Sequence, residues 1–178
     1  MNLLALSGSS SSRSINHALL LSALTLLPED VEVTVVSVRD LDAPLFSVDI
    51  EKDPGPPASI LALHATLNAA DAVLIASPEH NGSMPAMLKN TIDWLSRVVP
   101  FQPFLTKPLA LLGTSPGGRG AATNLNNMAR LAPFWGATVV GTFSLPSFGA
   151  NFDTESGQLT QAEHREALTT LLTTLLTP

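Results

Sequence analysis

Five short apolar runs, each closed by small or polar residues, punctuate this chain: Leu3 to Ser7, Val31 to Val38, Ala72 to Ala76, Leu109 to Gly113 and Thr138 to Phe143. Between them lie segments of helical length: Ile15 to Leu27, Ser59 to Ala70, Pro85 to Val98 and Ala121 to Trp135, with Thr160 to Leu176 after the fifth run. Runs such as AVLIA carry no polar alternation, so both faces of such a strand must be covered. Strands of that kind alternating with helices specify a parallel sheet between two helical layers. The expected fold is therefore a doubly wound α/β three-layer sandwich. At 178 residues, it is expected to be one domain, residues 1–178.

Local signals mark several boundaries. Ser59 is a plausible N-cap, Pro85 suits a first helical turn, and Thr160 with Glu163 has the spacing of a capping box. Residues 40–58 carry Pro44, Pro54, Gly55, Pro56 and Pro57 without periodicity and read as a long loop.

Composition excludes several function classes. There are no cysteines, so disulfides, thiol catalysis and Cys-ligated zinc are absent. A reducing, cytoplasmic setting is the expectation. The formal net charge is −6, which argues against general nucleic-acid binding. No apolar run reaches the roughly 18 residues of a membrane span. Ala18 to Leu27 has the length of a signal-peptide core but is followed by PEDVEV, without a small-residue cleavage pattern. A mean hydropathy of +0.27 with 13% charged residues is apolar for a monomer, and a homodimer or homotetramer is expected.

The residues that break the apolar pattern follow the first, third and fourth strands. In open parallel sheets, ligands bind at the carboxyl ends of the strands. The order 2-1-3-4-5, adopted from the doubly wound pattern rather than from any residue, makes those three strands neighbours and their loops one crevice.

The first loop, GSSSSRS, supplies hydroxyls at Ser9, Ser11 and Ser14, the guanidinium of Arg13, and the start of a helix at Ile15 and Asn16. A helix N-terminus with short donors suits a phosphate. The loop lacks both the Walker lysine and G-x-G-x-x-G, which disfavours a triphosphate or a dinucleotide pyrophosphate there. The second loop, Pro78, Glu79, His80, Asn81, Gly82 and Ser83, tolerates positive φ at Asn81 and Gly82. Its backbone groups can face the hydrogen-bonding edge of a flat ring. The third, Ser115 to Gly120, offers close approach at Gly117 and Gly118 and a second cation at Arg119. His17, His64 and His164 fall on helical segments without matching carboxylates, so no metal site is expected.

These segments resemble one family. GSSSSRSIN is similar to the G-S-x-R-x-x-S-x-N loop of the NADPH-dependent FMN reductases at Gly8, Ser9, Ser14 and Asn16. PEHNGSMPAMLKNTIDWLSR resembles that family's P-E-Y-N-G-S-x-P-x-x-L-K-N-x-I-D-W-L-S-R at nearly every position, and SPGGRGA its third loop. Two positions depart: Ser11 stands where the family has arginine, and His80 where it has tyrosine. The resemblance implies a flavodoxin-like fold, bound FMN, and hydride transfer from NADPH or NADH through the flavin to a quinone, free flavin, azo or metal-oxyanion acceptor. It implies no catalytic side chain, since the cofactor carries the chemistry. The residues leave open a flavodoxin-like electron carrier and a flavin-free phosphosugar or nucleotide binder.

Overall fold

The computed structural model describes residues 1–53 and 55–177. Its main sheet has five parallel strands in the order β2-β1-β3-β4-β5: β1 (Asn2–Ser7), β2 (Glu32–Ser37), β3 (Ala72–Ala76), β4 (Pro108–Thr114) and β5 (Thr138–Leu145). This is the flavodoxin-like order. In-register pairing carries Ala5 beside Val35 on one side and Leu74 on the other.

Alternate residues of the central strands enter two separate cores. Leu4, Leu6, Val73, Ile75, Leu109 and Leu111 face one layer, made by α3 (Ala58–Ala69), α4 (Ala86–Val98) and α5 (Ala122–Trp135). Leu3, Ala5, Leu74, Ala110 and Leu112 face the other, made by α1 (Ile15–Leu24) and α7 (Ala162–Leu176). The period of two thus explains why these strands are apolar at every position. Each fully buried leucine contributes about 1.5–3 kcal/mol. β2, at the sheet edge, keeps Val33 and Val35 partly exposed.

Several boundaries differ from expectation. α1 ends at Leu24, not Leu27, because the amides of Thr25, Leu26 and Leu27 bond three residues back as the chain approaches Pro28. The N-cap of α3 is Pro57, and Ser59 donates its hydroxyl to the Asp42 carbonyl at 2.7 Å instead. Pro85 is the N-cap of α4 rather than a residue of its first turn, and it makes no side-chain cap. The Thr160–Glu163 capping box does not form. Gln161 occupies the N-cap, and Thr160 donates to the Ala150 carbonyl.

The expected loop over 40–58 contains a short helix, α2 (Val48–Glu51), capped by Ser47; Pro54 lies outside the described residues. After β5 the chain adds α6 (Phe148–Asn151) and a small hairpin of β6 (Phe152–Asp153) and β7 (Gln158–Leu159). No helix of the described residues is long and apolar enough to cross a membrane.

Candidate cofactor site

All three polar loops leave the same edge of the sheet, at the ends of β1, β3 and β4. The first begins where Gly8 N–H bonds the Ala76 carbonyl at 2.8 Å, extending the ladder one step past β1. It then curls on its own hydroxyls. Ser9 Oγ accepts from Ser11 N–H, Ser11 Oγ from Arg13 N–H, and Ser14, the N-cap of α1, from His17 N–H. Each hydroxyl keeps its own proton to donate. The amides of Ile15 and Asn16 open the helix without an acceptor among the described residues. Arg13 is exposed and makes no ion pair among the described residues.

Asn16 is placed differently from expectation. Its side chain is buried, with Nδ2 donating to the Thr114 carbonyl at 3.0 Å and Oδ1 accepting from Thr114 N–H at 2.8 Å. That amide is committed to the end of β4. The pair uses one of the two Nδ2 hydrogens, and the Asn16 backbone N–H stands outside it.

The second loop is a tight turn. His80 and Ser83 exchange both backbone hydrogen bonds, at 2.8 and 3.1 Å, and Asn81 and Gly82 have φ of 53° and 77°. Positive φ at both central positions is the type I′ turn that Asn-Gly favours. It leaves the Asn81 and Gly82 amides without acceptors among the described residues. Two contacts fasten the turn to α5: Asn127 Nδ2 donates to the Gly82 carbonyl at 2.9 Å, and Glu79 Oε2 accepts from Asn124 N–H at 3.0 Å. A carboxylate on the first turn of a helix is favoured by the macrodipole. The Glu79 side chain therefore caps α5. Asn124 Nδ2 also donates to Ser77 Oγ and the Pro78 carbonyl.

The third loop is held from the β5–α6 corner. Ser147 N–H bonds the Gly117 carbonyl at 2.9 Å and Phe148 N–H the Ser115 carbonyl at 3.0 Å. Ser144 Oγ donates to the Arg119 and Gly120 carbonyls. Gly120, at φ 55°, packs so closely there that a Cβ would lie 2.7 Å from the Leu145 carbonyl oxygen. Ser115 is partly buried, whereas Gly117, Gly118 and Arg119 are exposed.

The structure thus joins the loops: the first to the third through Asn16 and Thr114, and the second to α5 through Glu79 and Asn127. Ser10 and His80, one from each of the first two loops, line a common cavity. The cross-braces Asn124, Asn127, Ser144 and Ser147 carried no signal of their own in the sequence, beyond the i, i+3 spacing of the two asparagines. A group of three or more metal-ligating side chains does not occur among the described residues.

Open amides, hydroxyl donors and Arg13 at one end, and unpaired amides on a rigid turn at the other, fit a ligand with one phosphate and a hydrogen-bonding ring edge. FMN has that form. The fold and these loops define a flavodoxin-like protein with a mononucleotide-type site. The sequence matches the model for the NADPH-dependent FMN reductases over residues 1–150, and the chain belongs to that family. It is 41% identical to an NAD(P)H-dependent FMN reductase of Pseudomonas aeruginosa over 68% of its own length. That match spans 64% of the relative, less than two thirds of it. It is 34% identical to a quinone reductase of Escherichia coli K12, covering 79% of this chain and 73% of that one. The solved structure of FerB, a flavoenzyme NAD(P)H:(acceptor) oxidoreductase from Paracoccus denitrificans, superposes with a TM-score of 0.80 at 28% identity, over 98% of this chain and 94% of that one.

Proposed function

We propose that this protein is an FMN-dependent NAD(P)H oxidoreductase that reduces a small-molecule acceptor. One observation carries the reading: the amide-open start of α1 and the Asn81–Gly82 turn lie on one sheet edge, and both are braced to β4 and α5. Family membership and the relatives' named activities support it. Bound FMN supplies the hydride relay between nicotinamide and acceptor.

The chain's part is to bind and orient. Ser9, Ser11, Ser14 and Arg13 hold the phosphate together with the Ile15 and Asn16 amides. The backbone of Pro78 to Ser83 would hold the ring edge, and the Ser115–Gly118 segment would complete the cofactor site. Arg119 meets the phosphate of the nicotinamide nucleotide. No side chain is required to form a covalent bond with the substrate.

The test is anaerobic mixing of the FMN-loaded protein with NADPH and, separately, NADH. Loss of the flavin absorbance with either nucleotide is expected. An unbleached spectrum with both overturns the reading, and a titration that proceeds in two separate one-electron steps favours the electron carrier.

The same chain forms a homodimer or homotetramer in this reading. Phe101 and Phe134 are 102% and 84% exposed, beside a cavity of about 570 Å³ between α4 and α5. Exposed aromatics of that size favour burial by a second copy. Sedimentation equilibrium decides between dimer and tetramer, and a monomer at every concentration overturns both.

A further inference from the structure

Of the nine asparagines in this chain, only Asn81 precedes a glycine. The other eight all lie within helices or strands. The side-chain bonds that reach this turn fall on Ser77, Pro78, Glu79 and Gly82, and the exposed Asn81 side chain is in none of them. The next amide along, Gly82 N–H, has no acceptor among the described residues.

These are the parts of an intramolecular acyl substitution. Gly82 N loses its proton to solvent base and bonds Asn81 Cγ. The Cγ–Nδ2 bond breaks and ammonia leaves. Water then opens the cyclic imide at either carbonyl. One product is aspartate. The other is isoaspartate, in which the chain runs on through the former side-chain carbons. Water is the one co-reactant, and glycine has no Cβ to hinder the attacking nitrogen.

Backbone shape restrains the reaction. Closing the imide requires Gly82 N and Asn81 Cβ to eclipse across the Cα–C bond. In the left-handed region, at ψ of about +47°, the two stand nearly opposite each other. Asn81 sits in that region, with φ of 53°. The closed turn therefore keeps nucleophile and carbonyl apart, and only a local opening lets them meet. Two devices hold it shut. His80 and Ser83 exchange backbone bonds, and the exposed Asn127 donates Nδ2 to the Gly82 carbonyl at 2.9 Å.

We propose that Asn81 is a self-modification site, that it converts to aspartate and isoaspartate when its turn opens, and that Asn127 is the positioning residue that keeps the turn shut. Isoaspartate adds a carbon to the backbone of the turn and separates the Asn81 and Gly82 amides. One consequence rests on the cofactor reading above. If FMN takes those amides, bound FMN shields Asn81, and protein left without FMN loses the capacity to bind it.

The experiment incubates FMN-free and FMN-loaded protein near neutral pH, with a urea-unfolded sample alongside. Peptide mapping follows isoaspartate and the mass gain of amide-to-acid conversion. Both products are expected at Asn81 of the FMN-free protein ahead of every other asparagine, and faster in the unfolded sample. Asn127→Ala is expected to speed conversion about fivefold, the weight of one hydrogen bond on turn opening. It is also expected to speed hydrogen exchange at the Ser83 amide while leaving urea unfolding nearly unchanged. Asn127→Gln, which keeps a carboxamide donor, is expected to restore most of both. Saturating FMN is expected to slow conversion about tenfold or more.

FMN-free protein that keeps Asn81 intact while the unfolded sample converts overturns the site. Asn127→Ala protein that converts no faster than wild type overturns the role of Asn127. FMN-loaded protein that converts at the FMN-free rate overturns the shielding and the placement of the flavin on this turn, and leaves the modification site standing.

Discussion

The side-chain amide of Asn16 and the peptide group of Thr114 exchange two hydrogen bonds, at 3.0 and 2.8 Å, across 98 residues of sequence. Both residues are buried. The pair stitches the start of α1 to the end of β4, and so sets the spacing between the first and third loops. Replacing Asn16 by Ala strands a buried donor and a buried acceptor. The expected cost is about 2–5 kcal/mol in urea unfolding. Asn16→Asp, which keeps one of the two bonds, is expected to fall between.

The Glu79 side chain caps α5. Glu79→Ala is expected to destabilise the protein by about 1–2 kcal/mol, from the lost acceptor at Asn124 N–H and the lost charge on the helix start. Glu79→Gln keeps the acceptor, so it is expected to recover most of that. Thermal unfolding of the two variants side by side measures how much of the cap is charge.

Asn81 serves through its backbone. Its φ of 53° costs an alanine about 1–2 kcal/mol. Asn81→Ala is expected to weaken FMN binding about tenfold, whereas Asn81→Gly keeps the turn and most of the affinity. Asp93, which pairs with Lys89 on the surface of α4, is the control, and Asp93→Ala is expected to cost less. Fluorescence titration of apoprotein with FMN ranks the three, and equal affinities would sink the assignment.

Gly120 combines a positive φ with close packing. Its substitution by alanine brings a methyl within 2.6 Å of Ser144 Oγ and 2.7 Å of the Leu145 carbonyl. Overpacking and backbone strain together predict a loss of about 2–5 kcal/mol, with the third loop displaced. Chemical denaturation, read beside FMN affinity, tests both consequences.

Asp153, away from the site, carries a pH signature. The Ser156 hydroxyl, then the Glu155 amide, hold its carboxyl below the ordinary 3.8. A depressed folded pKa stabilises the fold above the ordinary value, and that contribution is lost as pH falls through the lower one. Ser156→Ala is expected to raise the Asp153 pKa toward 3.8, as carboxyl NMR titration would show.

Much of this architecture was legible from local pattern. Fully apolar runs such as AVLIA announced strands covered on both faces, and Asn81-Gly82 announced a turn with two positive φ angles. Trp94 is fully buried, and its indole N–H donates to the Pro44 carbonyl, a partner that no local pattern names. Caps were less legible. Thr160 and Glu163 have the spacing of a capping box, yet the Ala150 carbonyl claims the threonine. Ser59 turns to Asp42 for the same reason. A hydroxyl bonds whichever acceptor tertiary packing brings nearest, and spacing along the chain does not encode that.

By itself the sequence determined which backbone stretches are extended or helical, which faces are apolar, and which loops end on the ligand edge. Those properties follow from side-chain period and φ preference, which act over a few residues. Only the tertiary structure decided that Asn16 braces β4, that Glu79 caps α5, and that Asn90 bonds the backbone of Pro44 and Phe46. Those roles depend on polar groups losing water together, and their partners come from distant parts of the chain.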